Sequence, residues 1–516
     1  MNRRLSLYGA GAAAGLAAAV LFLATEFLLR FLVGAPTLPE LAGQALIELT
    51  PKPIFSLVLE RLLFLAKPLM FVTLLLGMIV IGGVLGAGYA RWLRRAERWS
   101  PGSALLFGLG LWVATHLLVL PALGGGGAVA LRPPAAGVPY ALWSLVSFAV
   151  YAFSLQRFCA WWGSPLPEAI SPWPAPPLAV ESGRRRMLGR LAVGGVGLVV
   201  AGAAWRFLPD LFGDGGRGSP RQTGQPVPEI TPNAQFYKVS KNFIEPVVPE
   251  ADWRLSVGGL VDAPFTLSYE ELVALPASEQ IHTLECISNP VGGDLMSNAV
   301  WTGVPLRVLL GRARLQAGVL DIVFHCADDY TDSIPLAKAM EPGTKAVWLM
   351  NGERLPDDHG FPLRILVPGI YGMKNAKWVQ AIEAVDNDYK GFWEKQGWSD
   401  QATVYTTARI DVPAPDLSVP VGPLRLHGVA YSGERGISRV EVSFDRTKTW
   451  VEARLKAPLS SYSWVHWQLD WEPPGPSRHM IKARAFDLDG QPQDGEARDP
   501  FPAGATGYHT INVTLT

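Results

Sequence analysis

Cysteine is scarce in this chain of 516 residues: Cys159, Cys286 and Cys326 are its only thiols. Three cysteines without a CxxC pair exclude a disulfide framework and a cysteine-built zinc site, and without a CxxCH there is no c-type haem attachment. A charge excess is missing too. Lys plus Arg and Asp plus Glu number 45 each, and charged residues make up only 17%. The basic surplus of a nucleic-acid surface is therefore absent, and no nucleic-acid partner is expected. What is plentiful is apolar, and mean hydropathy is above zero. At roughly 150 residues per domain, three or more units are expected.

A bilayer span needs about 20 apolar residues. Five stretches qualify, at 8–30, 68–90, 103–123, 139–161 and 188–208, which predicts a transmembrane domain over 1–208 with lipid as its partner. A sixth stretch, 38–65, is broken by Pro39, Pro51 and Pro53 and carries Glu40, Glu48, Lys52, Glu60 and Arg61. It reads as an interfacial helix. Basic residues collect at Arg3 and Arg4, at Arg91, Arg94, Arg95 and Arg98, and at Arg184, Arg185, Arg186 and Arg190, whereas the loop 124–138 holds only Arg132. All three clusters fall on one side if the N-terminus is cytoplasmic. The chain then reads as a multi-pass protein of the cell (inner) membrane, with everything after 208 on the extracytoplasmic, periplasmic face.

Gly-Arg-Arg-Arg-Met-Leu at 183–188 resembles a twin-arginine export signal, internal to the chain. Positive-inside charge alone is the other reading. A b-type haem usually takes two axial histidines, and His116 is the only one inside a span; no haem is expected. His116, Glu26, Lys67 and Arg157 are intramembrane functional candidates, with interhelical pairing or snorkelling as the simpler account. GAGAAAG at 9–15 mimics a nucleotide loop, but within a span its small residues suit helix packing.

From 209 to 232 the composition turns to Gly, Pro, Ser, Arg and Gln, as in a flexible linker. Short β-branched and aromatic runs between turn signals then read as an α+β domain over 233–413. Its motifs come in order: NAQFYKVSKNF at 233–243, HTLECISN at 282–289, WTGVPL at 301–306, DDYTDSIPLAKAM at 329–340 and HGFPLRILVPGIYGMKNAKW at 359–378. In order and spacing they resemble the molybdopterin domain of the sulfite oxidase family. Residues 414–516 read as short strands separated by DRTKT and DLDGQ turns, an all-β Ig-like sandwich. ISRVEVSFD, WVHWQLDW and KARAFDLDGQPQ resemble the same family's dimerisation domain, with which a homodimer is compatible.

The resemblance implies a molybdenum–molybdopterin cofactor with Cys286 as the protein's metal ligand, since a soft thiolate suits the metal. Asn289 and Tyr330 join Cys286 as catalytic candidates, Tyr330 facing the metal. Cys326 reads as a small hydrophobe in a strand; a Cys286–Cys326 disulfide is the alternative. The pterin edge is expected along Phe236, Tyr237, Lys238 and Ser240. Its phosphate or nucleotide is expected at His359, Arg364, Gly372, Lys374 and Lys377. Surface charge is the competing account of Lys238.

One departure bears on substrate. Where sulfite oxidases carry an arginine after Cys-x-x-Asn, this chain has Pro290, then Val291, Gly292 and Gly293. Losing that guanidinium weakens the case for a small dianion, unless another cation, such as Arg409, takes its place. The expected activity is oxygen-atom transfer on a small oxyanion or sulfoxide-type substrate. Electrons pass to or from a separate carrier, a c-type cytochrome or membrane quinone. A sulfoxide or oxide reductase, a non-catalytic sensor or scaffold, and a transporter remain as alternatives.

Overall fold

The computed structural model describes residues 2–33, 36–51, 66–96, 101–122, 140–161 and 225–516, with Ile54 and Val58 besides. The chain divides into two compact units, one of helices and one rich in strands. The expected fifth span, the twin-arginine motif, the loop 124–138 and most of the linker lie outside the described residues.

In the helical unit, Tyr8–Leu32, Ala66–Trp92, Gly102–Val119 and Ala141–Ala160 are long and apolar enough to cross a membrane. They coincide with four of the five expected spans. Gly11 and Gly15 lie against Gly82 and Gly86: a Cβ on Gly15 would meet the Gly82 carbonyl at 2.2 Å. The GAGAAAG stretch is thus a close helix contact. Helix Leu38–Leu49 begins on a capping box of Thr37 and Glu40, so Pro39 falls in its first turn, where a missing N–H costs nothing. His116 sits in the π-turn Thr115–Val119, with Nδ1 2.9 Å from the Trp112 carbonyl and Nε2 3.2 Å from Ser144 Oγ on another helix. That is interhelical pairing, as is the Arg30–Glu40 ion pair at 3.4 Å.

The second unit opens with two five-stranded sheets. One runs in the order Phe265–Ser268, Arg254–Gly259, Val379–Val385, Asp321–Cys326, Thr331–Pro335. Only the Arg254–Gly259/Val379–Val385 pair is parallel. Interior strand Asp321–Cys326 is buried on both faces apart from half-buried His325, as its Ile-Val-Phe run anticipates. The other sheet takes Ser278–Glu285, Met296–Pro305, Lys345–Met350 and Glu353–Arg354 in order, with Arg364–Leu366 on the far edge of Lys345–Met350. Helix Leu306–Ala313 buries Leu306, Leu309, Leu310 and Ala313, one face at helical spacing.

Eight further strands form one continuous path from Thr407–Val412 to Leu417–Val419. It doubles back so that Thr407–Val412 packs on Ser477–Phe486 and His509–Leu515, over a core that includes Leu426, Val440, Trp467, Ile481 and Val513. This all-β segment is fastened to the strand that ends beside Cys286. Tyr431 Oη donates to the Thr283 carbonyl at 2.8 Å, and the Trp464 amide donates to Thr283 Oγ1 at 2.9 Å.

Candidate active site

Strand Ser278–Glu285 delivers its chain straight into Cys286, and the loop 286–295 returns it to strand Met296–Pro305. Asn289 ties that loop shut. Its amide N–H donates to the Cys286 carbonyl at 3.0 Å, its Nδ2 to Glu285 Oε1 at 2.8 Å, and its Oδ1 accepts from the Leu295 N–H at 3.0 Å. The backbone N–H of Asn289 and both ends of its side-chain amide thus shape the turn that presents Cys286. The thiol is buried, 3.1 Å from Ser288 Oγ, and unpaired with any other cysteine, as is Cys326. Burial raises the Cys286 pKa while Ser288 pulls it down. Burial also lifts the neighbouring Glu285 carboxyl to about 7, against the pull of Asn289 and Arg409.

The all-β segment braces the far side of this loop. Gly292 has φ +71°, and a Cβ there would lie 2.1 Å from the His509 ring, so only glycine fits. Arg409 donates from Nη1 to the Gly293 carbonyl at 3.0 Å and pairs through Nε with Asp411 at 2.6 Å. Arg409 therefore does reach the loop after Cys286. It holds backbone there, with its charge matched by Asp411.

A second wall is aromatic and cationic. Phe236 and Tyr237 are buried and stacked at 5.5 Å; Phe236 is edge-on to Trp301 and His359 at 5.6 and 5.3 Å. The Tyr237 hydroxyl, held well above the usual tyrosine range by burial and then by Cys286, sits where a Cβ on Gly372 would come within 2.7 Å. His359, in the turn Asp357–His359, has Nε2 3.3 Å from the Asn233 carbonyl. Burial lowers its pKa to about 3, so the ring is neutral despite Asp358 beside it. Lys238 pairs with Asp358, and Lys377 donates to the Asp358 carbonyl at 3.0 Å. Ser240 is half-buried at the end of this strip.

Arg364 is the unusual member. Its guanidinium is buried, with Nη1 on the His359 carbonyl at 3.2 Å and Cζ 5.4 Å from the Trp301 ring centroid. Its Nε has no partner, and among the described residues no carboxylate lies within ion-pair distance. Burial drops its pKa to about 10. An uncompensated buried cation is costly and marks a place for an anion.

The turn Gly372–Lys374 joins these walls to a third group. Gly372 backs Tyr237, while the Met373 carbonyl accepts from Tyr330 Oη at 2.8 Å. Tyr330 also donates to Asp332 Oδ2 at 2.7 Å. Lys374, expected at the cofactor phosphate, instead turns its buried ammonium to Asp332 at 3.0 Å, Glu394 at 2.9 Å and Asp400 at 3.3 Å. An ammonium so surrounded by carboxylates cannot serve a phosphate. Sequence reasoning missed Asp332, Glu394 and Glu285. Asp332 stands inside a quoted motif, but its partner Lys374 comes 42 residues later.

The site fits the implied cofactor on its own terms. It holds a buried unpaired thiol, an orphaned buried guanidinium and an aromatic strip. Among the described residues no three His, Cys, Asp or Glu side chains gather as a metal cage.

Residues 243–393 match the family model described as "Oxidoreductase molybdopterin binding domain", and 401–499 match "Mo-co oxidoreductase dimerisation domain". The two matched segments follow one another along the strand-rich unit. The chain is 33% identical to sulfite oxidase of Gallus gallus over 290 residues, 46% of this chain and 62% of that protein. It is 29% identical to sulfite oxidase of Arabidopsis thaliana over 293 residues, 46% of this chain and 73% of that protein. The chain thus spans about three fifths of the first relative's length. The sulfane dehydrogenase SoxCD of Paracoccus pantotrophus shares the fold, with a TM-score of 0.50 at 24% identity over 58% of this chain and 88% of that one.

Proposed function

We propose that this chain is a membrane-anchored oxidoreductase catalysing oxygen-atom transfer at the extracytoplasmic face, with a molybdenum–molybdopterin cofactor held on Cys286. The observation that carries the reading is a buried Cys286 thiol in no disulfide and a buried Arg364 guanidinium with no carboxylate partner, both acting electrostatically on the buried Tyr237 hydroxyl between the two walls. When bound, the cofactor supplies two-electron redox chemistry and the polarised oxygen site.

The protein's own work is positioning. Cys286 provides the thiolate ligand, which Asn289 orients through its loop. Arg364 and Lys377 take the cofactor's phosphate or nucleotide, with neutral His359 beside them; Phe236, Tyr237, Lys238 and Ser240 cover its edge. Gly372 gives Tyr237 room. Tyr330 faces the reacting centre. In the oxidative direction the balance is substrate plus water to oxygenated substrate plus two protons and two electrons, the electrons leaving to an external c-type cytochrome or membrane quinone. The dimerisation domain supports a homodimer.

Substrate choice turns on Pro290. No arginine follows Asn289, and Arg409 is committed through Nη1 to Gly293 and through Nε to Asp411, which matches its charge. A charge-assisted hydrogen bond contributes about 1.5–3 kcal/mol, or roughly ten- to a hundredfold in affinity. Steady-state kinetics with an artificial one-electron dye should show weak saturation by sulfite and comparable or better handling of a neutral sulfoxide. Pro290→Arg should lower KM for sulfite by about tenfold or more and leave the sulfoxide nearly unchanged. Tight sulfite turnover by the unaltered protein rules this reading out.

Topology rests on the basic clusters and on the four apolar helices. Twin-arginine export moves folded proteins, which suits a domain loaded with its cofactor in the cytoplasm. Replacing Arg184 and Arg185 together by lysine keeps the charge and removes the motif. A C-terminal reporter should then remain cytoplasmic. Unchanged export would reduce the motif to positive-inside charge.

A further inference from the structure

We propose that Asp332, acting through the Tyr330 hydroxyl, is the proton acceptor for the oxidative reaction and the proton donor for the reverse one. The inference rests on Tyr330 facing the reacting centre, as proposed above.

The geometry is a short wire. Tyr330 has a single hydroxyl proton, which reaches Asp332 Oδ2 at 2.7 Å and the Met373 carbonyl at 2.8 Å. With Asp332 ionised, that proton lies toward Asp332, and the phenolic oxygen keeps a lone pair free to accept a hydrogen bond. When the water consumed in the oxidation, whose oxygen ends in the product, gives a proton to the phenolic oxygen, the original phenolic proton passes to Asp332. One O–H bond forms on Tyr330 as another breaks, so the phenol itself is unchanged. Of the two protons released per two electrons, this route carries one at a time; the electrons go to the external carrier.

Everything that faces Asp332 bears on its charge. Lys374 and the Ser333 N–H both donate to Oδ1, at 3.0 and 2.8 Å. Glu394, from helix Phe392–Lys395, approaches the same ammonium. Asp400 touches Lys374 from the solvent side and pairs with half-exposed Lys390, which also meets Asp388. Asp321 accepts from Ser333 Oγ at 3.0 Å, and the Cys326 thiol lies near Tyr330. Asp332 and Glu394 are thus two buried carboxyls set against one buried ammonium. A structural ion pair needs only one. The surplus buried negative charge gives the cluster affinity for a proton. Burial lifts the Asp332 carboxyl to about 7, Lys374 pulling down and Glu394 pushing up. Against its own burial, Lys374 is kept charged by Asp332 and Glu394. These two shifts oppose each other across one pair. The lysine keeps its proton because two carboxyls outnumber it, and the proton exchanged near neutrality belongs to Asp332.

The test has a spectroscopic and a kinetic arm, both on full-length loaded protein. Infrared difference spectra against Asp332→Asn should reveal a carboxylic-acid band that disappears as pH rises through the neutral range. Glu394→Gln should move that titration to lower pH, because a negative neighbour has gone. With an artificial dye, sulfite oxidation should rise with pH along the same titration, and dimethyl sulfoxide reduction should fall along it. Asp332→Asn should remove the pH limb and slow turnover by about a hundredfold. Adding Asp332→Asn to Tyr330→Phe should cost nothing further. An Asp332 that stays ionised throughout the neutral range overturns the proposal. So does a pH limb that survives Asp332→Asn, since that variant's loss would then be structural. If Tyr330→Phe alone leaves turnover unchanged, the underlying placement of Tyr330 fails instead.

Discussion

Arg364→Met is expected to move metal-free and loaded protein in opposite directions. In the metal-free chain the guanidinium is buried, keeps one hydrogen bond to the His359 carbonyl and has no carboxylate partner. Replacing a buried charge by an apolar side chain of similar volume is often neutral or stabilising by about 1–4 kcal/mol. Metal-free Arg364→Met should therefore unfold at the same temperature as the parent or several degrees higher. When the cofactor is present the sign reverses, because its anionic end loses its buried counter-charge. Molybdenum and pterin should then fall to trace levels in protein purified from cells that make the cofactor. Arg364→Lys, a point charge without the planar fork, should retain part of the load. Thermal melts of both forms and metal analysis read the two halves separately. Full loading of Arg364→Met would remove Arg364 from the cofactor's site.

Cys286→Ser is the complementary case, in which folding is spared and chemistry is lost. Serine is nearly isosteric and can keep the hydrogen bond to Ser288 Oγ, while the backbone bonds of Cys286 to Leu295 and Asn289 do not depend on the side chain. A hard alkoxide donor in place of a soft thiolate should reduce oxygen-atom transfer by more than about a hundredfold, the upper range seen when only a ligand's supporting residue is removed. Pterin should remain, since Arg364 and Lys377 are untouched. Cys326→Ala serves as the control: buried in the interior strand Asp321–Cys326, it should cost some stability and no molybdenum. Loss of the metal in that variant, or activity in Cys286→Ser, would overturn the assignment.

How much of this was legible in the sequence differs between residues of a single motif. Lys374 and Lys377 stand three apart in GMKNAKW and invited the same reading, yet only Lys377 lies beside His359 through Asp358. Lys374 is claimed by Asp332, Glu394 and Asp400, which sequence distance hides. The family resemblance implies a catalytic Asn289, as in Cys-x-x-Asn. Its contacts show a side chain occupied in shaping the loop. Four apolar helices were plain because hydropathy is a local property. Arg409 was considered only as a stand-in cation, and its real connection, to the Gly293 carbonyl, belongs to the tertiary fold.

Because the loop after Cys286 is braced from so far downstream, the order of biosynthesis matters. Arg409 closes onto Gly293 across 116 residues, and Trp464 reaches back to the Glu229 carbonyl across 235. His509, which fills the space beside Gly292, lies later still. Contacts of such long sequence separation form slowly, since the entropy of closing the loop must be spent before any contact offsets it. A nascent chain that has emerged only through its molybdopterin-binding segment therefore presents Cys286 on an unbraced loop. Cofactor insertion should accordingly follow release from the ribosome rather than accompany translation. Ribosome-bound chains stalled before residue 409 should capture no molybdenum.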